Sequence, residues 1–160
     1  MRHATAVPGD LVAVASIDHF PFEMATREPS FDQMIVNVYS PGTGIRDHVD
    51  LAKFDDGIVS VSLGASCVMN FTRADTVVPI LLEPGDLLLL HGEARYQWMH
   101  GIPETTVDVW KGNQMPRGKR TSVTLRRLLP IEQRPTVMGQ DYFGVPMSAE
   151  QAFASGLGGV

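Results

Sequence analysis

His48 and Asp50 stand two residues apart in a β-prone stretch, and side chains at i and i+2 of a strand leave on the same face. An imidazole and a carboxylate so placed can ligate one ion. A second histidine further along would complete a facial triad, the arrangement that holds non-haem Fe(II) and leaves three coordination positions open. His91 and His100, each followed by glycine, are the two candidates for that third ligand. His91 closes the apolar run 87–90. His100 ends a stretch in which Tyr96, Trp98 and His100 alternate onto one face of an expected strand. Spacing alone leaves both open.

A second group suits an anion. Arg120 and Arg126 are six residues apart, so on a strand they share a face with Ser122 and Thr124, while Val123 and Leu125 point the opposite way. Two guanidinium groups can make bidentate charge-assisted bonds to a dicarboxylate, and the hydroxyls can serve its remaining lone pairs.

Composition narrows what such groups could be doing. In 160 residues, 44% are apolar and 19% charged, which fits one globular domain with a real core. Thirteen Lys and Arg against 18 Asp and Glu give a formal charge of −5, the wrong sign for coating nucleic acid through bulk electrostatics. The charge is uneven, however: Lys111, Arg117, Lys119, Arg120, Arg126, Arg127 and Arg134 face only Glu132 between 111 and 134. Cys67 is the sole cysteine, so an intrachain disulfide and a Cys-built zinc site are excluded, and a reducing compartment, cytoplasmic or nuclear, is expected. No apolar run approaches the roughly 20 residues a membrane helix needs. The N-terminal stretch lacks the charged start of a secretory signal, and neither feature speaks to oligomeric state.

The elements that must position these residues are short and β-prone. Runs at 34–39, 48–51, 58–63, 68–71, 77–82, 87–91, 96–100 and 122–129 are separated by turn residues such as Pro41, Gly42, Gly44, Pro84 and Gly85. Eight strands at this spacing predict an all-β core, a jelly roll (double-stranded β-helix) with a few short flanking helices. Residues 1–33 are expected to be a covering segment, 34–129 the jelly-roll domain, and 130–160 a tail. In that tail Ser148, with Gln151 three residues on, opens a short helix to about Ser155, and the glycines beyond fray.

Several ordered motifs resemble the AlkB-like Fe(II)/2-oxoglutarate-dependent dioxygenases. They are Asn37-Val38-Tyr39, Pro41-Gly42, Gly44-Ile45, His48-Val49-Asp50, Val59-Ser60-Val61-Ser62-Leu63-Gly64 and Gly85-Asp86-Leu87, followed by two late ones. The late motifs, Glu93-Ala94-Arg95-Tyr96 with Trp98 and His100-Gly101-Ile102, then 120–126, are most similar to the tRNA wobble-uridine-hydroxylating branch. The resemblance covers residues 34–129. It implies His48, Asp50 and His100 as iron ligands and leaves His91 outside the motif. Arg120 then pairs with the distal carboxylate of 2-oxoglutarate, Arg126 lies near the chelating one, and Asn37, Tyr39 and Ser122 bond the same co-substrate.

With dioxygen as oxidant, the implied reaction hydroxylates a C–H bond. An N-methyl carbon would leave as formaldehyde; a carbon bonded to carbon would keep its hydroxyl. The substrate expected is a modified nucleic-acid base, RNA or tRNA before DNA, with a protein side chain or small molecule as the alternative. A silent jelly-roll binding module is the third reading. Ala52 stands where repair members carry a second aspartate against the alkylated base, which speaks against repair of cationic methylated bases. A nucleotide-recognition lid should be reduced, since only 33 residues precede Met34. Around the mouth, Arg46, Phe71, Arg73 and the basic 111–120 loop are candidates for substrate contact.

Overall fold

The structure is a computed structural model that describes residues 6–7, 11–14 and 22–134. The helix expected from Ser148 lies outside them. Two antiparallel sheets face one another. The larger contains β3 (Gln33–Tyr39), β5 (Ile58–Gly64), β8 (Leu87–Leu90) and β12 (Arg120–Arg126) in the order β8-β5-β12-β3. It is extended beyond β8 by β2 (Leu11–Val14) and β1 (Ala6–Val7). The smaller contains β4 (Ile45–His48), β6 (Cys67–Arg73), β7 (Thr76–Leu82) and β9 (Met99–Ile102) in the order β4-β9-β6-β7. Two four-stranded antiparallel sheets make the expected jelly roll. Two five-residue helices, α1 (Phe22–Thr26) and α2 (Gly92–Tyr96), flank it. Among the described residues no helix is long and apolar enough to cross a membrane.

Ile58, Met69, Phe71, Leu82, Leu88, Leu90 and Trp98 belong to the main core cluster. A smaller cluster, Met24, Val59 and Leu89 with Phe31 and Leu125, packs α1 onto the outer face of the larger sheet. Residue parity explains the division, because Val59, Leu89 and Leu125 alternate with the inward Ile58, Leu88 and Leu90. The same parity turns β12 inside out. Arg120, Ser122, Thr124 and Arg126 line the interior cavity, whereas Val36 and Val38 of neighbouring β3 stand more than half exposed outside.

Three expectations about elements need correction. The strand expected at 48–51 is β4 at Ile45–His48, with irregular pairing to β9 between Ile45 and His48. The chain has left the strand by Asp50 and turns at 52–53. Tyr96 is not on a strand with His100: it ends α2, where the helix-forming Glu93-Ala94-Arg95 wins and both Ala94 and Arg95 are buried. β9 begins only at Met99. Finally, the expected basic 111–120 loop holds half of a hairpin, β10 (Val107–Trp110) paired with β11 (Asn113–Pro116). Lys111 and Gly112 connect it with φ of 49° and 82°, the double positive φ of the two-residue turn that matches strand twist.

Candidate active site

His48 is the last residue of β4 and pairs directly with His100 of β9, which sets their ring centroids 4.4 Å apart. β4 and β9 come this close because Gly101 has no side chain. A Cβ there would lie 2.8 Å from the Asp47 backbone nitrogen and 2.9 Å from the Ile45 carbonyl oxygen. Asp50 reaches the same point from the turn after β4. One ligating atom each from His48, Asp50 and His100 fall within 4.8 Å of one another. The expectation that brought His48 and Asp50 together by strand alternation is therefore mistaken in its reason, although the two side chains do converge.

The donors are held from behind. His48 Nδ1 lies 2.8 Å from the Arg46 carbonyl oxygen. A carbonyl only accepts, so Nδ1 is the donor of this pair and Nε2 is the ring nitrogen left for a metal. Phe71, fully buried, stacks on the His100 ring at 5.8 Å between centroids. Burial pushes His100 down to about 4, with His48, Arg95 and Arg126 adding to the shift and Asp50 opposing it. At neutral pH the ring is therefore already the neutral form a metal requires. His100 Nε2 lies 3.6 Å from one Asp50 oxygen, and the other accepts a 3.0 Å bond from Arg126 Nη1.

The anion-binding face looks into the same space. A cavity of about 450 Å³ is lined by Asn37, Tyr39, Arg120, Ser122 and Arg126 together with His48, Asp50 and His100. Arg120 donates a 2.7 Å bond from Nη2 to Ser62 Oγ and lies 5.5 Å over the Tyr39 ring. Arg126 lies 4.3 Å over the Phe54 ring. The Nε atoms of both arginines are buried without a hydrogen-bond partner. Buried, unpartnered N–H groups are costly unless an acceptor arrives, and two guanidinium groups lining one cavity fit a dicarboxylate. Two imidazoles and a carboxylate, with arginines beside them, fit Fe(II) together with 2-oxoglutarate.

Other expected residues lie elsewhere. His91 lines a separate cavity with Arg27, Asp55, Asp56 and Arg127. Phe71 is a wall behind His100 with no exposed surface to offer a substrate. Arg73 is exposed and paired with Glu93 at 2.9 Å, and Arg46 is exposed beside the site. Of the basic stretch, Arg117 is buried, bonded through Nε and Nη2 to Asp108 at 2.7 and 2.6 Å. It is not a surface charge. Arg127 faces Asp55 at 3.7 Å. Cys67 is buried, which pushes its thiol up and keeps it out of the chemistry. Sequence reasoning missed Ser62, the partner of Arg120, and Arg95. Both stand inside motifs quoted above, where alternation in 59–64 pointed to Ser62 and only the resemblance pointed to Arg95.

Comparison with known proteins gives the family. The 2OG-Fe(II) oxygenase superfamily model matches residues 10–126, and the chain belongs to that superfamily, whose members use Fe(II), 2-oxoglutarate and dioxygen. Within it the chain is AlkB-like. It is 39% identical over 115 residues to tRNA (carboxymethyluridine(34)-5-O)-methyltransferase ALKBH8 of Macaca fascicularis, covering 61% of this chain and 17% of that protein. Against the Xenopus tropicalis protein of the same name the identity is 48% over 80 residues, covering 49% and 13%. Against the dioxygenase AlkB of Salmonella typhimurium it is 41% over 76 residues, covering 44% and 35%. The chain thus spans little more than a third, at most, of any of these three relatives.

Proposed function

We propose that this chain is a dioxygenase in which His48, Asp50 and His100 hold Fe(II) while Arg120 and Arg126 hold 2-oxoglutarate, and that it oxidises a modified base in RNA, tRNA foremost. The observation that carries the reading is one cavity lined by both the three metal donors and the two arginines. Iron with 2-oxoglutarate and dioxygen supplies an oxidant able to insert oxygen into an unactivated C–H bond.

The side chains do the rest. Arg120, backed by Ser62, fixes the distal carboxylate, and Asn37, Tyr39 and Ser122 bond the same molecule. Arg126, shelved on Phe54, balances the charge of Asp50 and of the second carboxylate. Ile58, Leu88 and Leu90 line the cavity with hydrocarbon and exclude water from it. The substrate base would be flipped out of its stack to reach the metal.

The likeness to two ALKBH8 proteins, named for a tRNA uridine modification, favours RNA. A second reading, a protein side chain or small molecule, is favoured by the electrostatics. With Arg117, Arg120, Arg126 and Arg127 all engaged internally or paired, and Arg134 bonded through Nε to the Leu129 carbonyl, the basic stretch keeps chiefly Lys111 and Lys119 for phosphate. Anaerobic loading with Fe(II), followed by 2-oxoglutarate and pools of modified RNA, DNA and peptides, tests both. Oxygen addition or formaldehyde release on RNA alone supports the first reading, and turnover on peptides alone replaces it with the second. Unchanged succinate production in His100→Ala would remove the metal-centre assignment itself.

A further inference from the structure

Arg95 is among the most deeply buried large side chains of the protein, 1% exposed. It makes no ion pair among the described residues. Its guanidinium instead donates to three backbone carbonyls of one turn: Nη1 to Asp50 at 2.8 Å, and Nη2 to Leu51 at 2.8 Å and Phe54 at 3.1 Å. Burying a cation is expensive, and an apolar residue would fill the space at less cost. The three acceptors say what the charge is for. Asp50 carries the carboxylate that meets His48 and His100, and Phe54 carries the ring under Arg126. The donor comes from α2, four residues before the start of β9, which carries His100.

We infer that Arg95 is a positioning residue that sets the metal centre, by clamping the 50–54 turn and so fixing both the Asp50 carboxylate and the Phe54 shelf of Arg126. The inference rests on the metal-centre reading above and adds to it a residue that touches neither metal nor co-substrate. The turn has left β4 and has no strand ladder of its own until the Phe54 to Leu128 bridge. Without the clamp, the Asp50 backbone would lose its tie to α2, leaving Arg126 on the carboxylate and the Phe54 to Leu51 backbone bond in the turn. A lysine cannot replace it, because one ammonium on a flexible stem cannot span three carbonyls that a planar fork meets together.

The test is a Co(II) titration followed by the visible d–d band, with urea unfolding run in parallel. Arg95→Lys should weaken Co(II) binding by about 10- to 100-fold, the range typical when an orienting partner of a ligand is lost, and should change the band. Leu89→Ala, in the smaller core cluster away from the site, is the control: it lowers stability while folded protein keeps wild-type Co(II) affinity and band. Should Arg95→Lys not fold, Arg95→Gln, which keeps two N–H donors and buries no charge, takes its place under the same criteria. Wild-type affinity and band in the Arg95 variant, or an equal loss in Leu89→Ala, would overturn the positioning role. Asp50→Ala separates the two readings. If it abolishes Co(II) binding while the Arg95 variant binds normally, only the role of Arg95 falls; if Asp50→Ala itself binds normally, the metal-centre reading falls.

Discussion

Removing the carboxylate of Asp108 should be among the most destabilising single changes in this protein, although it lies outside the active site. Arg117 and Asp108 form a bidentate pair whose side chains are 5% and 4% exposed. Asp108 Oδ2 also accepts a 3.1 Å bond from the Val68 amide, and Arg117 Nη1 donates to the Pro103 carbonyl at 2.7 Å. Asp108→Ala leaves a buried guanidinium without its counter-charge, an effect of about 3–5 kcal/mol, and strips the Val68 N–H of its acceptor. The expected loss is about 4 kcal/mol, a large share of the 5–15 kcal/mol that holds a typical domain together. The double variant Asp108→Leu with Arg117→Met removes both charges and should lie within about 2 kcal/mol of wild type. Urea unfolding with a common m-value reads both. A loss below about 1 kcal/mol in the single variant, or a double variant no better than the single, would refute the view that the pair is tightly buried.

Other predictions concern the site and its surface. Arg126→Met should weaken 2-oxoglutarate binding by at least tenfold in calorimetry with Mn(II) in place of iron; unchanged affinity would take Arg126 out of the co-substrate site. Without metal, the protein should lose stability as pH falls from about 6.5 towards 4. There the unfolded chain protonates His100 and the buried ring, held down to about 4, does not. Unfolding is then favoured by about 3 kcal/mol once pH is below both values, and a His100→Gln variant with the same pH profile would contradict the assignment. Gly101→Ala forces a methyl against the Asp47 and Ile45 backbones, so it should spread β4 from β9 and weaken metal binding, measured by Co(II) titration. If RNA is the substrate, its binding should show a shallow salt dependence because few cations remain for phosphate; a steep slope in fluorescence anisotropy would count against this surface reading.

The site was legible in the sequence where side-chain alternation survives folding. Arg120, Ser122, Thr124 and Arg126 share a face because β12 is a regular strand from end to end. Alternation failed at His48 and Asp50, since the chain leaves β4 between them, and at Tyr96, since five residues of helix interrupt the approach to His100. Neither break has a strong local signal. The β10–β11 hairpin did have one: apolar alternation at Val107, Val109 and Met115 around Lys111-Gly112. It was masked by reading the basic residues as a loop. Arg95 and Arg117 illustrate a harder limit, because their burial depends on acceptors 41 to 45 and 9 to 74 residues away in sequence.

The inside-out strand has a consequence for how the chain finds its fold. In most half-buried strands, slipping the register by one residue would expose the apolar set, and that penalty keeps the strand in place. For β12 the same slip would turn Val123 and Leu125 into the cavity and two arginines outward, while taking Leu125 from the smaller core cluster, so hydrophobic burial alone does not fix the phase. What sets it is polar pairing to the neighbouring β5 on the interior face, Arg120 to Ser62 and Thr124 to Ser60, together with ladders to β3 and β5. The strand whose hydrophobic pattern leaves its phase open is the one proposed to bind the co-substrate, and such local inconsistency tends to fall where chemistry is carried out. The flanking strands must be sufficiently committed to their own registers to impose one on β12.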